Sequence, residues 1–280
     1  MNKLWLTSFI KNAINEDIGD GDHTSLACIP PDITGKAKLL IKENGIIAGI
    51  EIAQLIFNEF DSNLKFEIFK KDGDICKPSE IAFYVEGRAI LLLQAERLVL
   101  NVMQRMSGIA TQTNLYVKEL SGLKTKILDT RKTTPGFRFF EKEAVKIGGG
   151  VNHRFGLFDM ILIKDNHIVF AGGIKNSIKQ VNEYLQKNNK QLKIEIEARN
   201  ISDVKEIIRI GNVNRIMLDN FSIENTKIAI DLINKKFETE SSGGITLQNI
   251  RKYAECGGDF ISVGALTHHI KSLDLSLKAV

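Results

Sequence analysis

The sequence predicts an α/β protein whose C-terminal part folds as a (β/α) barrel, complete or incomplete. From about residue 125 onward, six short apolar segments alternate with helical patterns, and this alternation is typical of a parallel sheet. Each apolar segment ends in charged residues, in glycine or in both, as expected where barrel strands lead into the loops that carry the chemistry. An open, doubly wound sheet is the alternative that fits the same alternation.

The residues before the barrel have a different pattern, with short strand-like segments around one helical stretch and turns such as Asp72-Gly73-Asp74. A long amphipathic helix is then predicted from Ala89 to about Met106, because apolar residues recur at i, i+3, i+4 and i+7. We expect Gly108 to interrupt or end it. The predicted elements of this part are strands Lys36–Ile41, Ile46–Ala48, Leu64–Lys70 and Ile81–Glu86 and helix Glu51–Glu59.

The later part contains the six predicted barrel units. Their strands are Thr125–Leu128, Met160–Ile163, Leu192–Ile196, Arg215–Leu218, Phe237–Glu240 and Phe260–Val263. Their helices are Phe139–Ile147, Ile174–Gln186, Ile201–Ile210, Ile223–Asn234 and Leu247–Glu255. We therefore predict an N-terminal domain over residues 1–108 and a barrel domain over 109–267, with the tail 268–280 packing back on the N-terminal domain.

Composition excludes several classes of protein. The 280 residues carry 38 Lys and Arg against 34 Asp and Glu, a net charge of +4, which argues against a nucleic-acid or membrane-surface protein. The longest apolar runs, such as Ala89–Leu93, are far shorter than the roughly 20 residues of a spanning helix, and the first residues lack the apolar core of a signal peptide. Cys28, Cys76 and Cys256 form no CxxC motif, so we expect reduced thiols and a cytoplasmic location.

The position of the charge is more informative than its size. Between Arg131 and Arg154 the chain has six basic and two acidic residues, so this window holds the whole net charge. Arginine pairs with carboxylate or phosphate in a bidentate manner, and lysine supplies a compact charge. Cations after apolar strands therefore indicate an anion site, formed by Arg131, Lys132, His153, Arg154 and Lys164. A solvated helix surface is the alternative, and it fits Lys142 and Lys146 best.

Two further patterns follow predicted strands. Glu197 and Asp219 end consecutive strands, where carboxylates could bind Mg²⁺, accept hydrogen bonds from a sugar or stabilise positive charge; ordinary salt bridges are the alternative. Gly243-Gly244 precedes a helix predicted from Thr246, an arrangement that suits a phosphate, and Gly264-Ala265 offers a second such loop. A simple glycine turn with Thr246 as helix cap is the alternative there.

The spacing of three other features gives weaker indications of a chemical role. The acidic segment Glu16–Ser25 does not match the EF-hand pattern, so we expect a turn with capping Asp and Thr and no metal. Arg97 belongs to a polar helix face, which favours a solvated or paired side chain. His268 and His269 have no metal-ligand spacing to another His or Cys, and we expect structural or loop roles for them.

Taken together, these segments resemble the quinolinate phosphoribosyltransferase family, also called carboxylating nicotinate-nucleotide pyrophosphorylases. The segments occur in the family's order over most of the chain: EDIGDGDHTS, AERLVLNVMQRMSGIAT, DTRKTTPGFRFFEKEAVKIGGGVNHR, LIKDNH, IEIEA, IMLDN, ESSGGIT and ISVGALTH. The resemblance implies an incomplete (β/α) TIM-like barrel with an N-terminal α/β domain built on an open-faced sheet. It also implies that quinolinate and phosphoribosyl pyrophosphate give nicotinate mononucleotide, pyrophosphate and CO₂, with Mg²⁺.

The resemblance further implies homodimers, sometimes assembled into hexamers, with each barrel mouth completed by the neighbouring subunit's N-terminal domain. The implied quinolinate ligands are Arg131, His153 and Arg154, with Arg97 reaching across the dimer. Lys132 and Lys164 would contact phosphate, pyrophosphate or a carboxylate. Glu197 and Asp219 would face the ribose and its Mg²⁺ and, with Lys132, act in catalysis. Ser242, Gly243 and Gly264 would hold the 5′-phosphate.

Three alternatives remain open from the sequence. The first is a related pyrophosphorylase with another acidic substrate, since nothing in the sequence fixes the second carboxylate. The second is a barrel lyase that uses Lys164 as a Schiff-base nucleophile. The third is a non-catalytic protein that binds a phosphosugar, although it would leave the set of Lys132, Glu197 and Asp219 unexplained.

Overall fold

The computed structural model describes residues 3–280. The helices are α1 (Lys3–Ile18), α2 (His23–Cys28), α3 (Ile50–Phe60), α4 (Ala89–Glu119), α5 (Arg138–Ile147), α6 (Asp165–Phe170), α7 (Ile174–Lys187), α8 (Ile201–Ile210), α9 (Ile223–Ile233), α10 (Ile250–Ala254) and α11 (Ala265–His268). The strands are β1 (Thr34–Ile41), β2 (Gly45–Ile46), β3 (Lys65–Ile68), β4 (Ile75–Cys76), β5 (Ile81–Arg88), β6 (Lys126–Leu128), β7 (Ile161–Ile163), β8 (Ile194–Ala198), β9 (Arg215–Asp219), β10 (Glu238–Ser242), β11 (Phe260–Ser262) and β12 (Leu275–Ala279).

The chain forms two compact units. The first contains the residues up to Gln112, the segment Phe139–Gly148 and the segment Ile270–Val280, whereas the second contains Thr113–Arg138 and Gly149–His269. The segment Phe139–Gly148 therefore groups with the N-terminal residues, although it lies inside the range 109–267 proposed for the barrel domain. The C-terminal segment groups with the first unit because β12 pairs with β1.

The first unit is built on a four-stranded antiparallel sheet with strand order β12-β1-β5-β3. Burial alternates along β1, and the inward residues Leu39 and Ile41 are fully buried. Leu39 lies opposite Phe83 of β5, and the Phe57 ring of α3 packs edge-on against Phe83 with centroids 6.4 Å apart. One face of the sheet therefore forms an apolar core with α3, and an alternation of this kind is typical of a one-sided antiparallel sheet.

The helix expected to end near Gly108 continues to Glu119, so that prediction was wrong. A Cβ on Gly108 would lie 2.3 Å from the carbonyl oxygen of Lys271 and 3.0 Å from the Cα of Ser272. This glycine is needed because the C-terminal segment passes directly over the helix. The low helix propensity of one glycine is outweighed by the packing of the long helix around it.

The second unit contains a six-stranded parallel sheet with the order β6-β11-β10-β9-β8-β7. Strands β7 to β11 lie beside one another in sequence order, and β6, the first strand, pairs with β11, the last. This arrangement curls a sheet towards closure, whereas a doubly wound sheet reverses its strand order. Among the described residues β6 and β7 are not paired with each other, although an isolated bridge joins Leu128 to Val151. The incomplete barrel is therefore confirmed.

Alternation within β8 explains how the barrel is assembled. The sequence IEIEA directs Ile194 and Ile196 into an apolar core with residues of the surrounding helices, such as Val204 and Ile207 of α8. Because successive side chains of a strand point to opposite faces, Glu195 and Glu197 lie on the inner face of the barrel. The outer face of this strand thus holds the helices, and its inner face carries acidic groups.

Two local expectations about lysine and threonine were wrong. Lys142 was expected on a solvated helix surface, but only 1% of it is exposed; Lys146 is exposed, as expected, and pairs with Glu143 at 2.7 Å. Helix α10 begins at Ile250 rather than near Thr246. Asp22, by contrast, caps α2 as expected, since its Oδ1 accepts the Ser25 N–H at 3.1 Å.

No helix among residues 3–280 combines the length and the apolar character needed to cross a membrane.

Candidate functional site

A cavity of about 680 Å³ opens at the carboxyl ends of the barrel strands. Ten of the eleven residues assigned to the site by the sequence line it, all from the second unit: Arg131, Lys132, His153, Arg154, Lys164, Glu197, Asp219, Ser242, Gly243 and Gly264. They come together because parallel strands end at the same edge of the barrel. Positions separated by more than 130 residues in sequence thus share one pocket.

Arg97 is the exception. It lies on α4 within the first unit, is exposed and does not line the cavity. The role implied for it requires a second subunit, and so it stays a prediction.

Two guanidinium groups give the cavity its positive character. Burial lowers the pKa of Arg154, and the neighbouring Arg131 lowers it further. Arg154 is anchored by a 3.1 Å hydrogen bond from Nη1 to the carbonyl oxygen of Met160. The Nε of Arg131 is buried and has no hydrogen-bond partner among the described residues. Two repelling cations, one with an unused donor, form a site that an anion would stabilise.

Glu197 is held in place by two donors. Its Oε1 lies 2.7 Å from Lys164 Nζ, and its Oε2 accepts the backbone N–H of Asp165 at 3.1 Å. Only 8% of the Glu197 side chain is exposed, so contacts within the protein fix the position of this carboxylate. The salt-bridge interpretation of Glu197 is therefore correct for Lys164, and the pair nevertheless lies at the cavity wall.

Asp219 is the second carboxylate of the cavity. Burial raises its pKa and Glu197 raises it further, whereas a hydrogen bond from the side chain of Asn220 lowers it. That bond runs from Asn220 Nδ2 to Asp219 Oδ2 over 2.8 Å. The two acids therefore repel each other inside the cavity, and a cation or a cationic transition state would relieve the repulsion.

The glycine loop after β10 requires glycine. Gly243 has φ +88°, and a Cβ there would lie 2.1 Å from Asn220 Oδ1. The Asn220 backbone N–H donates to the carbonyl oxygen of Ser242 at 2.8 Å, which ties the loops after β9 and β10 together. Helix α10 starts only at Ile250, so its N-terminus does not lie at these glycines. The prediction that a helix beginning at Thr246 would help to bind a phosphate there was therefore wrong.

Several residues of the cavity were not predicted. His268 lines it, although a structural or loop role was expected, and burial lowers its pKa, with further contributions from His269 and Lys132. Its Nε2 would lie 2.8 Å from a Cβ on Gly264, so the loop after β11 also fits closely around it. Asn220 and Glu240 also line the cavity. Strand alternation gave a signal for Glu240, since Glu240 and Ser242 share a face of β10.

A charged layer forms the floor of the cavity, and its members His153 and Glu240 line it. His153 Nε2 is 2.9 Å from Glu195 Oε2 and 3.4 Å from Glu240 Oε2. Arg215 Nη1 donates to Glu240 Oε2 at 2.9 Å. Burial opposes a charge on His153, but its hydrogen bonds with Glu195 and Glu240 raise its pKa to about 9. Burial raises the pKa of Glu195 to about 7, and Glu240 adds to that rise.

The comparisons with known proteins agree over the full chain. The model of the quinolinate phosphoribosyl transferase C-terminal domain matches residues 109–278, and that of the N-terminal domain matches residues 22–107. The chloroplastic nicotinate-nucleotide pyrophosphorylase (carboxylating) of Arabidopsis thaliana is 48% identical over 98% of this chain and 82% of its own length. The probable enzyme of the same name from Bacillus subtilis is 42% identical over 99% of this chain and 94% of its own.

Solved structures give the same result. The crystal structure of NadC from Streptococcus pyogenes superposes with a TM-score of 0.93 at 36% identity, covering 100% of this chain and 99% of that one. The nicotinate-nucleotide pyrophosphorylase from Francisella tularensis superposes with a TM-score of 0.92 at 39% identity, covering 100% and 98%.

Proposed function

The chain belongs to the quinolinate phosphoribosyltransferase family, and we propose that its barrel cavity binds quinolinate and phosphoribosyl pyrophosphate side by side for reaction. The activity is that of the carboxylating nicotinate-nucleotide pyrophosphorylases of de novo NAD biosynthesis. The observation that carries the proposed site is the convergence of two partly buried guanidiniums and two carboxylates in one cavity. The guanidiniums suit a ring with two negative charges, and the carboxylates suit a sugar that becomes cationic during the reaction.

Quinolinate is assigned to the guanidinium side of the cavity. Its two carboxylates suit bidentate arginine pairs, and Arg131 offers a buried Nε that no described residue uses. Arg154 supplies the second guanidinium. The ring of His153 accepts the Arg154 backbone N–H at Nδ1. An exposed Arg97 on α4 fits a contribution from a neighbouring subunit, which agrees with a homodimer or a hexamer built as a trimer of dimers.

Phosphoribosyl pyrophosphate is assigned to the loops after β10 and β11. Gly243 and Gly264 line the cavity, and neither position has space for a side chain, because a Cβ there would meet Asn220 or His268. Ser242 ends β10 beside them. Lys132, whose carbonyl oxygen accepts a 2.7 Å hydrogen bond from Thr267 Oγ1, brings a positive charge to the same side. We assign Lys132 to the leaving pyrophosphate.

The reaction begins when the pyridine nitrogen attacks the anomeric carbon. The nitrogen lone pair forms the new bond as the bond to the pyrophosphate oxygen breaks, and that oxygen keeps the electron pair. Positive charge develops on the ribose between the two events. Glu197, oriented by Lys164 and the Asp165 N–H, and Asp219 stabilise a charge that exists mainly in the transition state, and such differential binding raises kcat.

Decarboxylation follows from the charge on the ring. The bond to ribose makes the pyridine nitrogen cationic, so the ring can hold the electron pair left when the 2-carboxylate departs as CO₂. The carbanion at that carbon then takes a proton from water. The product retains one carboxylate, which is the nicotinate group of nicotinate mononucleotide.

Glu197 and Asp219 also fit a magnesium ion. Mg²⁺ prefers one or two carboxylates together with substrate phosphate oxygens. Burial raises the pKa of Asp219 and repulsion by Glu197 raises it further, and a cation would relieve that repulsion. When bound with phosphoribosyl pyrophosphate, Mg²⁺ would supply positive charge to the leaving group. We assign Asp219 as the principal protein ligand, because Lys164 already pairs with Glu197.

A cytoplasmic location is also part of the proposal. Cys28, Cys76 and Cys256 are all free thiols, which fits a reducing compartment. The Arabidopsis thaliana relative is described as chloroplastic, so location varies among relatives of similar sequence.

The lyase alternative has little support, because Lys164 Nζ is engaged by Glu197. Borohydride trapping with carbonyl substrates tests it directly.

The central test is an assay of the purified chain with quinolinate, phosphoribosyl pyrophosphate and Mg²⁺. We expect equal amounts of CO₂ and nicotinate mononucleotide. Nicotinate is the matched control, because it lacks the carboxylate that leaves and would leave one guanidinium unpaired. Equal turnover of nicotinate, or nucleotide formed without CO₂, would contradict the proposal.

A further inference from the structure

The inner face of this barrel carries charge at the floor of the cavity, where barrels usually hold branched apolar side chains. Glu195 and Glu240 are 0% exposed, and Arg215 is buried beside them. Removing ionised groups from water is costly, and an apolar layer of similar volume is often as stable or more so. A buried charged layer at this depth therefore calls for a functional explanation.

The contacts of this layer converge on one ring. Glu195 Oε2 and Glu240 Oε2 both face His153 Nε2, at 2.9 and 3.4 Å. Arg215 balances the charge of Glu240 through the 2.9 Å bond from Nη1, and its guanidinium lies 4.1 Å from the centre of the Phe260 ring. Glu240 itself lines the cavity, and the charge of Glu195 acts on Arg154, whose pKa it raises against the effect of burial.

The other edge of the imidazole is attached to the substrate side. The His153 backbone N–H donates to Asp129 Oδ1 at 2.9 Å, and the Arg154 backbone N–H donates to His153 Nδ1 at 2.7 Å. The carboxylates favour an imidazolium, whereas the Arg154 N–H requires a lone pair on Nδ1. Nε2 carries a proton in either form, so the hydrogen bond to Glu195 does not depend on that balance.

The unused oxygens argue against a purely stabilising network. Glu195 Oε1 and Glu240 Oε1 are buried and have no hydrogen-bond partner among the described residues. A buried acceptor without a partner lowers stability. The layer thus tolerates two unsatisfied oxygens, while Glu195 Oε2 faces the His153 Nε2–H and Glu240 Oε2 is shared between that N–H and Arg215 Nη1.

We propose that Glu195 and Glu240 are positioning residues for quinolinate, which hold the His153 imidazole by its Nε2–H and so fix the backbone that presents Arg154. The inference rests on the proposed function, since quinolinate is the ligand that Arg154 is assigned to bind. Neither carboxylate needs to touch the substrate. The affinity for quinolinate then depends on carboxylates that hold His153 at the floor of the cavity.

The first experiment compares Glu195→Leu with Glu195→Gln in steady-state kinetics. Glutamine keeps an oxygen that accepts the Nε2–H, whereas leucine does not. We expect Glu195→Leu to raise KM for quinolinate about ten-fold or more and to change KM for phosphoribosyl pyrophosphate little. Glu195→Gln should retain most of the affinity. A structural role alone would lower the active fraction, and with it kcat, while leaving both KM values unchanged.

The matched control is Glu238→Gln. Glu238 also pairs with Arg215, at 3.1 Å, but it does not contact His153. We expect its KM for quinolinate to equal that of the wild type. A rise as large as that of Glu195→Leu would overturn the inference, because the effect would then follow general charge loss in the layer.

The deciding experiment is a double-mutant cycle with His153→Ala, with quinolinate affinity measured by calorimetry. If Glu195 acts through His153, Glu195→Leu adds no further loss in the His153→Ala background. If Glu195→Leu weakened quinolinate affinity by the same factor in both backgrounds, the inference would be overturned. Should Glu195→Leu fail to fold, Glu240→Met is measured in the same cycle with the same two outcomes.

The wild-type assay separates this inference from the function on which it rests. A wild-type chain that does not turn over quinolinate would overturn both. If the wild type is active but the affinity losses of Glu195→Leu and His153→Ala simply add, only the positioning role is overturned.

Discussion

The four-stranded sheet of the first unit and the six-stranded sheet of the second use their buried faces differently. The sheet of the first unit turns Leu39, Ile41 and Phe83 inward and forms an apolar core with α3. The barrel of the second unit packs apolar residues such as Ile196 and Leu218 outward, under the helices, and turns Glu195, Glu197 and Glu240 inward. Burial stabilises the fold in the first case, whereas in the second it sets the charge of a binding site. Substitutions in the two faces should therefore be separable by experiment.

The largest effect should come from the apolar face. Phe83→Ala removes a fully buried ring that packs against Phe57, and we expect a loss of about 3–5 kcal/mol in the free energy of unfolding. Denaturant unfolding measures it. KM for quinolinate, measured below the unfolding transition, should stay at the wild-type value. A changed KM without loss of stability would mean that this sheet also shapes the site.

The next effect should come from Glu197→Ala at the inner face. We expect kcat to fall about 10²–10³-fold, as for other groups that stabilise a developing charge, and KM to change less. Steady-state kinetics with both substrates provides the measurement. If KM alone changed, Glu197 would be a ground-state contact.

Arg131→Ala should produce a smaller loss. Removing a charge-assisted contact to a carboxylate is expected to weaken quinolinate binding by about 1.5–3 kcal/mol, with unchanged unfolding. Lys146→Ala is the matched control, since Lys146 belongs to the same basic window but is exposed and paired with Glu143. Equal quinolinate affinity in the wild type and Arg131→Ala would remove Arg131 from the site.

The smallest signal should come from mixed oligomers. Arg97→Ala combined with an inactive Glu197→Ala chain should restore part of the activity, because one site of a mixed dimer would then have both residues. Co-purification through two different tags isolates the mixed species. Absence of rescue in proven mixed dimers would count against a contribution of Arg97 across an interface.

The sequence predicted the site better than it predicted the burial of charge. Residues at strand ends could be placed together, because parallel strands of a barrel share one carboxyl edge; Arg131, Lys164 and Asp219 are examples. The family motifs supplied their roles. Glu195 was not predicted; the alternation in IEIEA is a signal that it shares a face with Glu197, but spacing could not show which partners it meets across the barrel.

Other misses have a tertiary origin. Lys142 belongs to a charged helical stripe and was expected in solvent, yet only 1% of it is exposed. Gly108 is a weak helix former, but the close passage of Lys271 and Ser272 requires it within a continuous helix. His268 lines the cavity because the chain turns into α11 immediately after Gly264. For Gly108, packing from a distant segment overrides the local preference.

The most direct test of the charged inner face as a substrate site is a crystal structure with quinolinate bound. The expected result is one quinolinate in the barrel cavity, with its carboxylates within hydrogen-bond distance of Arg131 and Arg154. Quinolinate bound elsewhere, or a barrel cavity without it at saturating concentration, would contradict the account.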